Sequence, residues 1–160
     1  MLKTPSLVAV RPARAEDVGS MARIIDDYAR RRAMLARREN DLLRSLDDFV
    51  VACRETEAGR VIGCGALTLY STRIAEIRSV AVDPAHSRSG AGRKIVQALV
   101  DRAKSIEARR VYLLTLVPEF FAKMGFEIVD SDNTSLSYLS EAVLDQSRTF
   151  ANKALMMRDL

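Results

Sequence analysis

The first half of the chain alternates short apolar runs with one long amphipathic stretch. Apolar and polar residues alternate from Ser6 to Arg11, which predicts an opening strand. Apolar residues from Val18 to Tyr28 then recur at helical spacing, with acids before them and arginines after them. A short helical stretch, Asn40 to Leu46, precedes three apolar runs: DFVVACRE, RVIGCGALTLY and AEIRSVAVDP. These runs predict three strands, and the turn ETEAGR joins the first two as a hairpin.

In the second half, strands are separated by helices. The stretch GRKIVQALVDRAKSIE predicts a helix with one apolar face, formed by Ile95, Leu99, Ala103 and Ile106. RRVYLLTL and FEIVD predict strands on either side of a short helix that begins at Pro118 and ends at Gly125. A helix around Tyr138 to Gln146 and a final strand, NKALMMRDL, follow. This order predicts one α/β (α+β) domain over residues 1–160, with a mixed, mostly antiparallel sheet flanked by helices.

Composition narrows the class of protein. The 160 residues are 48% hydrophobic and 29% charged, as in an ordinary globular domain. No apolar run reaches the ~20 residues of a membrane span, and the N-terminal residues lack a secretory cleavage pattern. Two cysteines and one histidine do not make a disulfide framework or a metal cluster. We therefore expect no metal, no membrane partner and a reducing cytoplasm.

The net charge is +4, and arginines cluster in the stretch ARRRAMLARR. Such a cluster fits a solvated helix face, a small anionic substrate or a nucleic acid. Neither interleaved aromatic residues nor a nucleic-acid-binding motif accompanies it, so we expect no nucleic-acid partner. The solvated face and the anionic substrate both remain as interpretations.

The loop HSRSGAGRKIV, residues 86–96, lies between a predicted strand and a predicted helix. Unpaired N–H groups at a helix N-terminus favour an anion. Gly90 and Gly92 allow the backbone to adopt positive φ and to approach a ligand closely. Arg88, Arg93 and Lys94 add positive charge. A diphosphate group fits these features, and so does a simple glycine-bearing turn.

The wider stretch VAVDPAHSRSGAGRKIVQALV resembles the acetyl-CoA motif of the GNAT acetyltransferases, and FFAKMGFEIV is similar to that family's aromatic helix and Gly-Phe strand. Ser87 occupies a position where the family usually has Arg or Gln. The resemblance runs from about Ala9 to Phe126, and it implies the GNAT fold with acetyl-CoA as co-substrate. The cofactor contacts it implies are Val80, Ala81, Val82, Ser87, Arg88, Ser89, Gly90, Ala91, Gly92, Arg93 and Phe121.

The same resemblance implies direct attack of an amine on the thioester, for which a base must take the amine proton. Glu76 is the candidate base, and a surface pair between Glu76 and Arg78 is the alternative. Alternation along this strand places both residues on one face with Val80 and Val82. Backbone N–H groups from Ser79 to Val82 would stabilise the oxyanion.

A proton donor for the departing thiolate is harder to assign. Phe121 occupies the position of the family's tyrosine, so the aromatic ring there has no hydroxyl. Thr115, at the end of VYLLT, is the nearest hydroxyl candidate. The alternative is that Thr115 only caps its strand.

A narrower resemblance is to the acetyltransferase domain of the N-acetylglutamate synthases, in the short form without the amino-acid-kinase domain. GCGAL, AEIRSVAVDP and the LTL, FF and GF runs carry it. It implies acetylation of the α-amine of L-glutamate, the first step of arginine biosynthesis. Each carboxylate of glutamate needs a cationic partner. The substrate contacts implied are Leu35, Arg37, Arg78, Ser79, Asn152 and Lys153, with Arg148 as a further candidate.

Two rival functions stay open at this point. One is a GNAT enzyme that acts on another amine, such as a polyamine or a protein N-terminus. The other is a non-catalytic module that binds CoA or a partner. Pairing of two copies through the C-terminal strand, as a homodimer, is a further expectation for this fold.

Overall fold

Strands and helices follow the order expected from the hydrophobic pattern. The computed structural model describes residues 7–71, 73–130 and 152–160. The strands are β1 (Val8–Pro12), β2 (Phe49–Arg54), β3 (Arg60–Leu69), β4 (Ile74–Val82), β5 (Arg110–Thr115), β6 (Glu127–Ile128) and β7 (Ala154–Asp159). The helices are α1 (Val18–Arg30), α2 (Glu39–Arg44), α3 (Ala91–Ser105) and α4 (Pro118–Ala122). The helix predicted around Tyr138 to Gln146, and Arg148 after it, lie outside the described residues.

The strands form one sheet in the order β1-β2-β3-β4-β5-β7-β6. Neighbouring strands are antiparallel except β4 and β5, which run parallel. The prediction of a mixed, mostly antiparallel sheet is therefore confirmed. β7 inserts between β5 and β6, so the last strand of the sequence pairs with two strands that precede it in the chain.

Helices cover both faces of the sheet. On one face α3 buries Ile95, Val96, Leu99 and Val100. On the other face α1 and α2 bury Met21, Ile24, Ile25 and Leu42. The placement of Ile106 on the apolar face of α3 is wrong, because the helix ends at Ser105 and Ile106 is 42% exposed. None of the described helices is long and apolar enough to cross a membrane.

Two glycines of β3 allow α3 to lie close to the sheet. A Cβ atom on Gly65 would lie 2.6 Å from Ile95 Cγ2, and one on Gly63 would lie 2.9 Å from Ile95 Cδ1. A side chain at either position would push α3 away from the sheet. The loop at the N-terminus of α3 would move with it.

Asp17 connects the start of α1 to β1. Its carboxylate accepts two hydrogen bonds from the Arg11 guanidinium, at 2.7 and 2.9 Å, and one from the Arg14 N–H at 2.7 Å. Burial raises the pKa of Asp17, but the hydrogen bonds from Arg11 and Arg14 outweigh burial, so the pKa lies below its ordinary value. The pair therefore stabilises the folded state while the carboxylate is ionised.

We expect Asp17→Asn to lower the free energy of unfolding at pH 7 by about 2–3 kcal/mol, because it removes a charge-assisted, bidentate pair. The folded pKa of Asp17 lies below its unfolded value of 3.8. The wild-type advantage is therefore full above that unfolded pKa and is lost as the pH falls through the lowered folded pKa. Urea denaturation at neutral and at acidic pH measures both effects.

Asp27→Asn is the matched control, because Asp27 is exposed on α1, the helix that Asp17 precedes. We expect it to change the free energy of unfolding by less than about 0.5 kcal/mol. If Asp17→Asn cost the same free energy at acidic and neutral pH, the ion-pair account would be wrong.

Candidate active site

A cleft opens where β4 and β5 separate. The parallel register between them ends at the pair Glu76 and Tyr112. Beyond that pair, β4 stays bonded to β3 as far as Val82, whereas β5 stays bonded to β7 as far as Thr115. The two strands therefore diverge, and within the described part of the chain the edge of β4 that faces β5 has no strand partner beyond Glu76.

A β-bulge at Ser79 distorts β4 beside this cleft. Arg78 lies opposite Ala66 and Ala81 lies opposite Cys64, so β4 carries one residue more than β3 between these pairs. Ser79 has a left-handed φ of +56°. Its carbonyl oxygen accepts a hydrogen bond from Cys64 Sγ at 3.6 Å.

The bulge reverses the alternation of side chains along β4. Val80 and Val82 pack against the hydrophobic core between the sheet and α3, whereas Ala81 belongs to the core between the sheet and α1. The prediction that Val80 and Val82 share the face of Glu76 is therefore wrong. The physical reason is the extra residue, which shifts the two-residue period by one position.

The loop after β4 leads into an open helix N-terminus. Asp83 turns the chain by accepting a hydrogen bond from the Ala85 N–H at 3.1 Å. Gly90 has φ of +81°, a backbone conformation that strains other residues. The Lys94 N–H donates to the Gly90 carbonyl at 3.2 Å, so the N–H groups of the preceding turn lack an intrahelical acceptor. These features give the loop the geometry of an anion-binding site.

The basic residues of the loop differ in where they lie. Arg93 lines the cleft, whereas Arg88 is exposed and does not. Lys94 Nζ donates to the Val8 carbonyl at 2.8 Å. The expectation that Lys94 adds charge beside the glycines is therefore wrong, because its side chain connects α3 to β1.

The cleft has a volume of about 580 Å³. The sequence-predicted site residues that line it are Leu35, Arg37, Glu76, Arg78, Ser79, Val80, Val82, Ser87, Gly90, Gly92, Arg93, Thr115, Phe121 and Lys153. Those that do not line it are Ala81, Arg88, Ser89, Ala91 and Asn152. Ala81 and Ala91 are buried in the two cores, and the Ser89 hydroxyl accepts from the Ala91 N–H at 3.3 Å.

Glu76 is the buried carboxylate of the cleft, with 4% exposure. The Tyr112 hydroxyl donates to Glu76 Oε2 at 3.5 Å. Burial raises the pKa of Glu76, and the Tyr70 hydrogen bond, the Arg78 charge and the Tyr112 hydrogen bond offset only part of this rise. A carboxylate with a raised pKa is a stronger base than a solvated one. The alternative of a surface pair with Arg78 is wrong, because Glu76 is buried.

Cationic side chains line the same cleft: Arg37, Arg78 and Lys153. Arg37 donates to Ser45 Oγ at 3.1 Å, and its guanidinium lies 5.8 Å from the centre of the Phe49 ring. Burial lowers the pKa of Arg37, and the charge of Arg78 lowers it further. Within residues 7–71, 73–130 and 152–160, no ion pair joins Arg37 or Arg78 to a carboxylate.

Thr115 and Phe121 lie where β5 and α4 border the cleft. Thr115 Oγ1 accepts a hydrogen bond from the Val117 N–H at 2.9 Å, so the hydroxyl does cap its strand. A hydroxyl that accepts one bond still has its own hydrogen to donate. The Phe121 ring packs edge-on against Phe120 and Phe126, with centroid distances of 5.0 and 5.9 Å.

Tyrosines near the cleft were not predicted as site residues. Tyr28 lines the cleft, and its hydroxyl donates to the Val82 carbonyl at 2.6 Å. Tyr70 and Tyr112 lie beside Glu76. In the sequence Tyr28 and Tyr112 have only the signal of apolar positions in a helix and a strand. Their contacts join residues far apart in the chain, which periodicity does not reveal.

A buried carboxylate, a helix N-terminus and, within the described residues, a strand edge without a strand partner share one cleft, an arrangement that suits a group-transfer enzyme. Among the described residues, no group of three His, Cys, Asp or Glu side chains could hold a metal ion.

The acetyltransferase (GNAT) family matches residues 16–126 of this sequence. An amino-acid acetyltransferase of Mycobacterium tuberculosis is 36% identical over 132 residues, which cover 82% of this chain and 75% of that protein. The chain therefore belongs to the GNAT acetyltransferase family.

Solved structures agree with this fold. A Mycobacterium tuberculosis protein in complex with CoA has a TM-score of 0.83 at 32% identity, with 95% of this chain and 99% of that chain covered. N-acetylglutamate synthase from Neisseria gonorrhoeae, complexed with coenzyme A and N-acetyl-glutamate, also has a TM-score of 0.83, at 25% identity. The match covers 98% of this chain but 36% of the synthase. The expected single-domain GNAT fold is confirmed.

We expect Glu76→Gln to raise the melting temperature at pH 8, because the amide removes the unfavourable burial of a charge. Burial raises the folded pKa of Glu76 above its unfolded value of 4.5. Wild-type stability is therefore lost as the pH rises from that unfolded value through the raised folded pKa, and the gain of the variant disappears at acidic pH. Melting curves across this range measure the difference.

Glu119→Gln is the control for this experiment, because Glu119 is exposed on α4. It should melt in parallel with the wild type at each pH. A constant difference between Glu76→Gln and the wild type from acidic to alkaline pH would show that the Glu76 charge is not destabilised by burial.

Proposed function

We propose that this chain transfers the acetyl group of acetyl-CoA to the α-amine of L-glutamate, with Glu76 as the base. The observation that carries the proposal is the presence of Arg37 and Arg78 in the same cleft as Glu76. Membership of the GNAT family supports acetyl transfer. The likeness to a synthase complexed with N-acetyl-glutamate supports the acceptor. A role in arginine biosynthesis would follow from that acceptor, and the two unpaired cysteines favour a reducing cytoplasm as its location.

A dicarboxylate acceptor would neutralise the positive charges of the Arg37 and Arg78 guanidinium groups. Burial and then the Arg78 charge lower the pKa of Arg37, and the charges of Asp41 and Asp48 offset only part of this fall, so a further anion near these groups is favoured. Glutamate brings two carboxylates, and each can accept paired hydrogen bonds from a guanidinium. Lys153 adds a further cation to the cleft. A polyamine would instead bring positive charge to these cations, which disfavours that alternative.

The acetyl donor would enter the cleft from the loop end. Its diphosphate would lie over Gly90 and Gly92, where the first-turn N–H groups of α3 and the charge of Arg93 favour an anion. The amides of its pantetheine arm would pair with the edge of β4, which lacks a strand partner there. This placement brings the thioester between β4 and β5, in the same cleft as Glu76.

In the proposed reaction the neutral amine attacks the thioester carbonyl carbon, and a C–N bond forms as the carbonyl electrons move to oxygen. Glu76 takes the amine proton, directly or through water. Backbone N–H groups from Ser79 to Val82 stabilise the oxyanion. The oxyanion then collapses, the C–S bond breaks, and N-acetylglutamate and CoA thiolate are released.

The lack of a hydroxyl on Phe121 affects only the transfer of a proton to the departing CoA thiolate. A thiol has a pKa of roughly 8.5, so the thiolate is a tolerable leaving group without a strong acid. Thr115, whose hydroxyl hydrogen is available, or solvent supplies the proton. The missing tyrosine hydroxyl therefore slows transfer without preventing it.

An acceptor panel tests the proposed function. We expect thiol release from acetyl-CoA with glutamate, and weaker release with glutamine or aspartate. Spermidine turnover without glutamate turnover would contradict the acceptor. Binding of acetyl-CoA without turnover of any amine would favour the non-catalytic module. Sedimentation of the same sample tests the predicted homodimer.

Substitution of Arg37 tests the acceptor contact. We expect Arg37→Ala to raise the KM for glutamate by about 10- to 100-fold, since a hydrogen bond to a charged group contributes about 1.5–3 kcal/mol. The KM for acetyl-CoA should change by less than about twofold. Arg38→Ala is the matched control, because Arg38 is exposed and outside the cleft lining. Equal changes in both KM values would make Arg37 a structural residue.

Gly92 tests the donor contact. A Cβ on Gly92 would lie 3.4 Å from Phe120 Cζ and 3.7 Å from Val82 Cγ2, so a larger side chain would occupy the cleft. We expect Gly92→Leu to weaken acetyl-CoA binding by more than about tenfold in calorimetry, because it blocks the backbone approach. Gly19→Leu, near the N-terminus of α1, is the control and should bind as the wild type does. Unchanged binding by Gly92→Leu would contradict the placement of the diphosphate.

A further inference from the structure

Two phenol groups, one from β5 and one from the turn after β3, lie beside Glu76. Tyr112 lies directly opposite Glu76 in the parallel register of β4 and β5, with its hydroxyl oxygen 3.5 Å from Glu76 Oε2. Tyr70 follows the last residue of β3, and its hydroxyl is one of the groups that offset the burial-raised pKa of Glu76. The centroids of the two tyrosine rings are 5.9 Å apart. The rings thus form one wall beside the carboxylate.

The two phenols differ in their access to water. Tyr112 is 1% exposed and Glu76 is 4% exposed, whereas Tyr70 is 41% exposed. A base that has taken a proton must release it before the next turnover. Of these three groups, Tyr70 is the one that reaches solvent, and its ring contacts Tyr112, whose hydroxyl bonds the carboxylate.

The other polar groups around Glu76 come from every neighbouring element. β3 places Thr68 opposite Glu76, and β4 contributes Arg78. β7 presents the apolar Leu155 and Met157 to Tyr112. Arg37, from the segment before α2, and Lys153, from the segment before β7, line the same cleft. In the proposed function the cations Arg37, Arg78 and Lys153 face the acceptor, and an aliphatic hydroxyl such as that of Thr68 is a weaker acid than a phenol. The tyrosine hydroxyls are therefore the candidate proton carriers beside the carboxylate.

We propose that Tyr70 and Tyr112 are positioning residues that hold the Glu76 carboxylate, and that the Tyr70 hydroxyl carries the abstracted proton to solvent. This inference rests on the proposed role of Glu76 as the base. The proton passes from the Glu76 carboxylic acid to the Tyr70 oxygen while the Tyr70 O–H proton passes to a water or buffer base. The phenol is restored, and Glu76 is again a carboxylate.

The concerted form of this step follows from the acidity of Tyr70. Burial and the bond to Glu76 raise the pKa of Tyr70 to about 12, so the phenolate is not populated at neutral pH. Tyr70 must therefore accept one proton as it gives up another. Tyr112 has no contact with water and cannot complete such a step, so its hydroxyl only orients the carboxylate.

The test uses Tyr70→Phe and Tyr112→Phe in the full chain, since both changes keep the ring and remove only the hydroxyl. The protein is labelled with carbon-13 at the carboxyl carbons of its glutamate side chains, and NMR follows the titration of Glu76. The signal that disappears in Glu76→Gln identifies the Glu76 carboxyl. We expect Glu76 to titrate at higher pH in both variants, because each loses a hydrogen bond to the ionised form. The value of kcat/KM for glutamate should fall about tenfold near pH 6 and recover to within about twofold near pH 9.

The dependence of kcat on buffer concentration tests whether the proton leaves through Tyr70. At low buffer concentration we expect kcat of Tyr70→Phe to fall about tenfold, and added imidazole to restore it, because a soluble base replaces the lost carrier. Tyr112→Phe should not respond to imidazole. Leu69→Ala, which alters the same hairpin without removing a hydroxyl, should follow the wild type within about twofold.

Unchanged Glu76 titration in both variants would overturn the positioning role. An equal response of both variants to imidazole would overturn the exit role. The NMR titration needs no acceptor, so a shifted titration without glutamate turnover would support the inference while refuting the proposed acceptor. Tyr70 is partly exposed, so Tyr70→Phe keeps the test decisive even if Tyr112→Phe does not fold.

Discussion

The active site depends on the loss of pairing between β4 and β5 after Glu76 and Tyr112. β4 stays bonded to β3 and β5 stays bonded to β7, so neither strand can close the gap. The gap exposes one backbone edge of β4 beside a buried carboxylate. The close approach of α3 at Gly65 keeps the helix N-terminus at the same opening. The buried carboxylate, the loop before α3 and the free edge of β4 therefore meet where β4 and β5 diverge.

Burial from water also determines the chemistry of the cleft. It raises the pKa of Glu76 and lowers the pKa values of Arg37 and Lys153. The first shift makes the carboxylate a better base for an amine proton. The lowered pKa values of Arg37 and Lys153 favour an anionic ligand beside the guanidinium and ammonium groups. The same burial thus acts on the Glu76 carboxyl and on the neighbouring cations in the directions that the proposed function requires.

Particular elements show how much of the structure could be predicted from the sequence. The spacing of apolar residues in GRKIVQALV predicts α3, and the glycine pair predicts a left-handed turn before it, which Gly90 adopts. The contiguous motif also indicates the family. Arg37, Glu76 and Lys153 come from distant parts of the chain, and only the family resemblance could group them beforehand. Their meeting in one cleft depends on strand order, which is a property of the whole sheet.

The sequence by itself determined the elements, the loop and the family, because periodicity and the conformational freedom of glycine are local properties of the chain. The tertiary structure decided which side chains meet. The bulge at Ser79 moved Val80 and Val82 to the other face, and Lys94 turned toward Val8. Tyr112 came to lie opposite Glu76 only through the register of β4 and β5. Register between strands far apart in sequence is set by packing of the whole sheet, so no pattern within one strand could have predicted it.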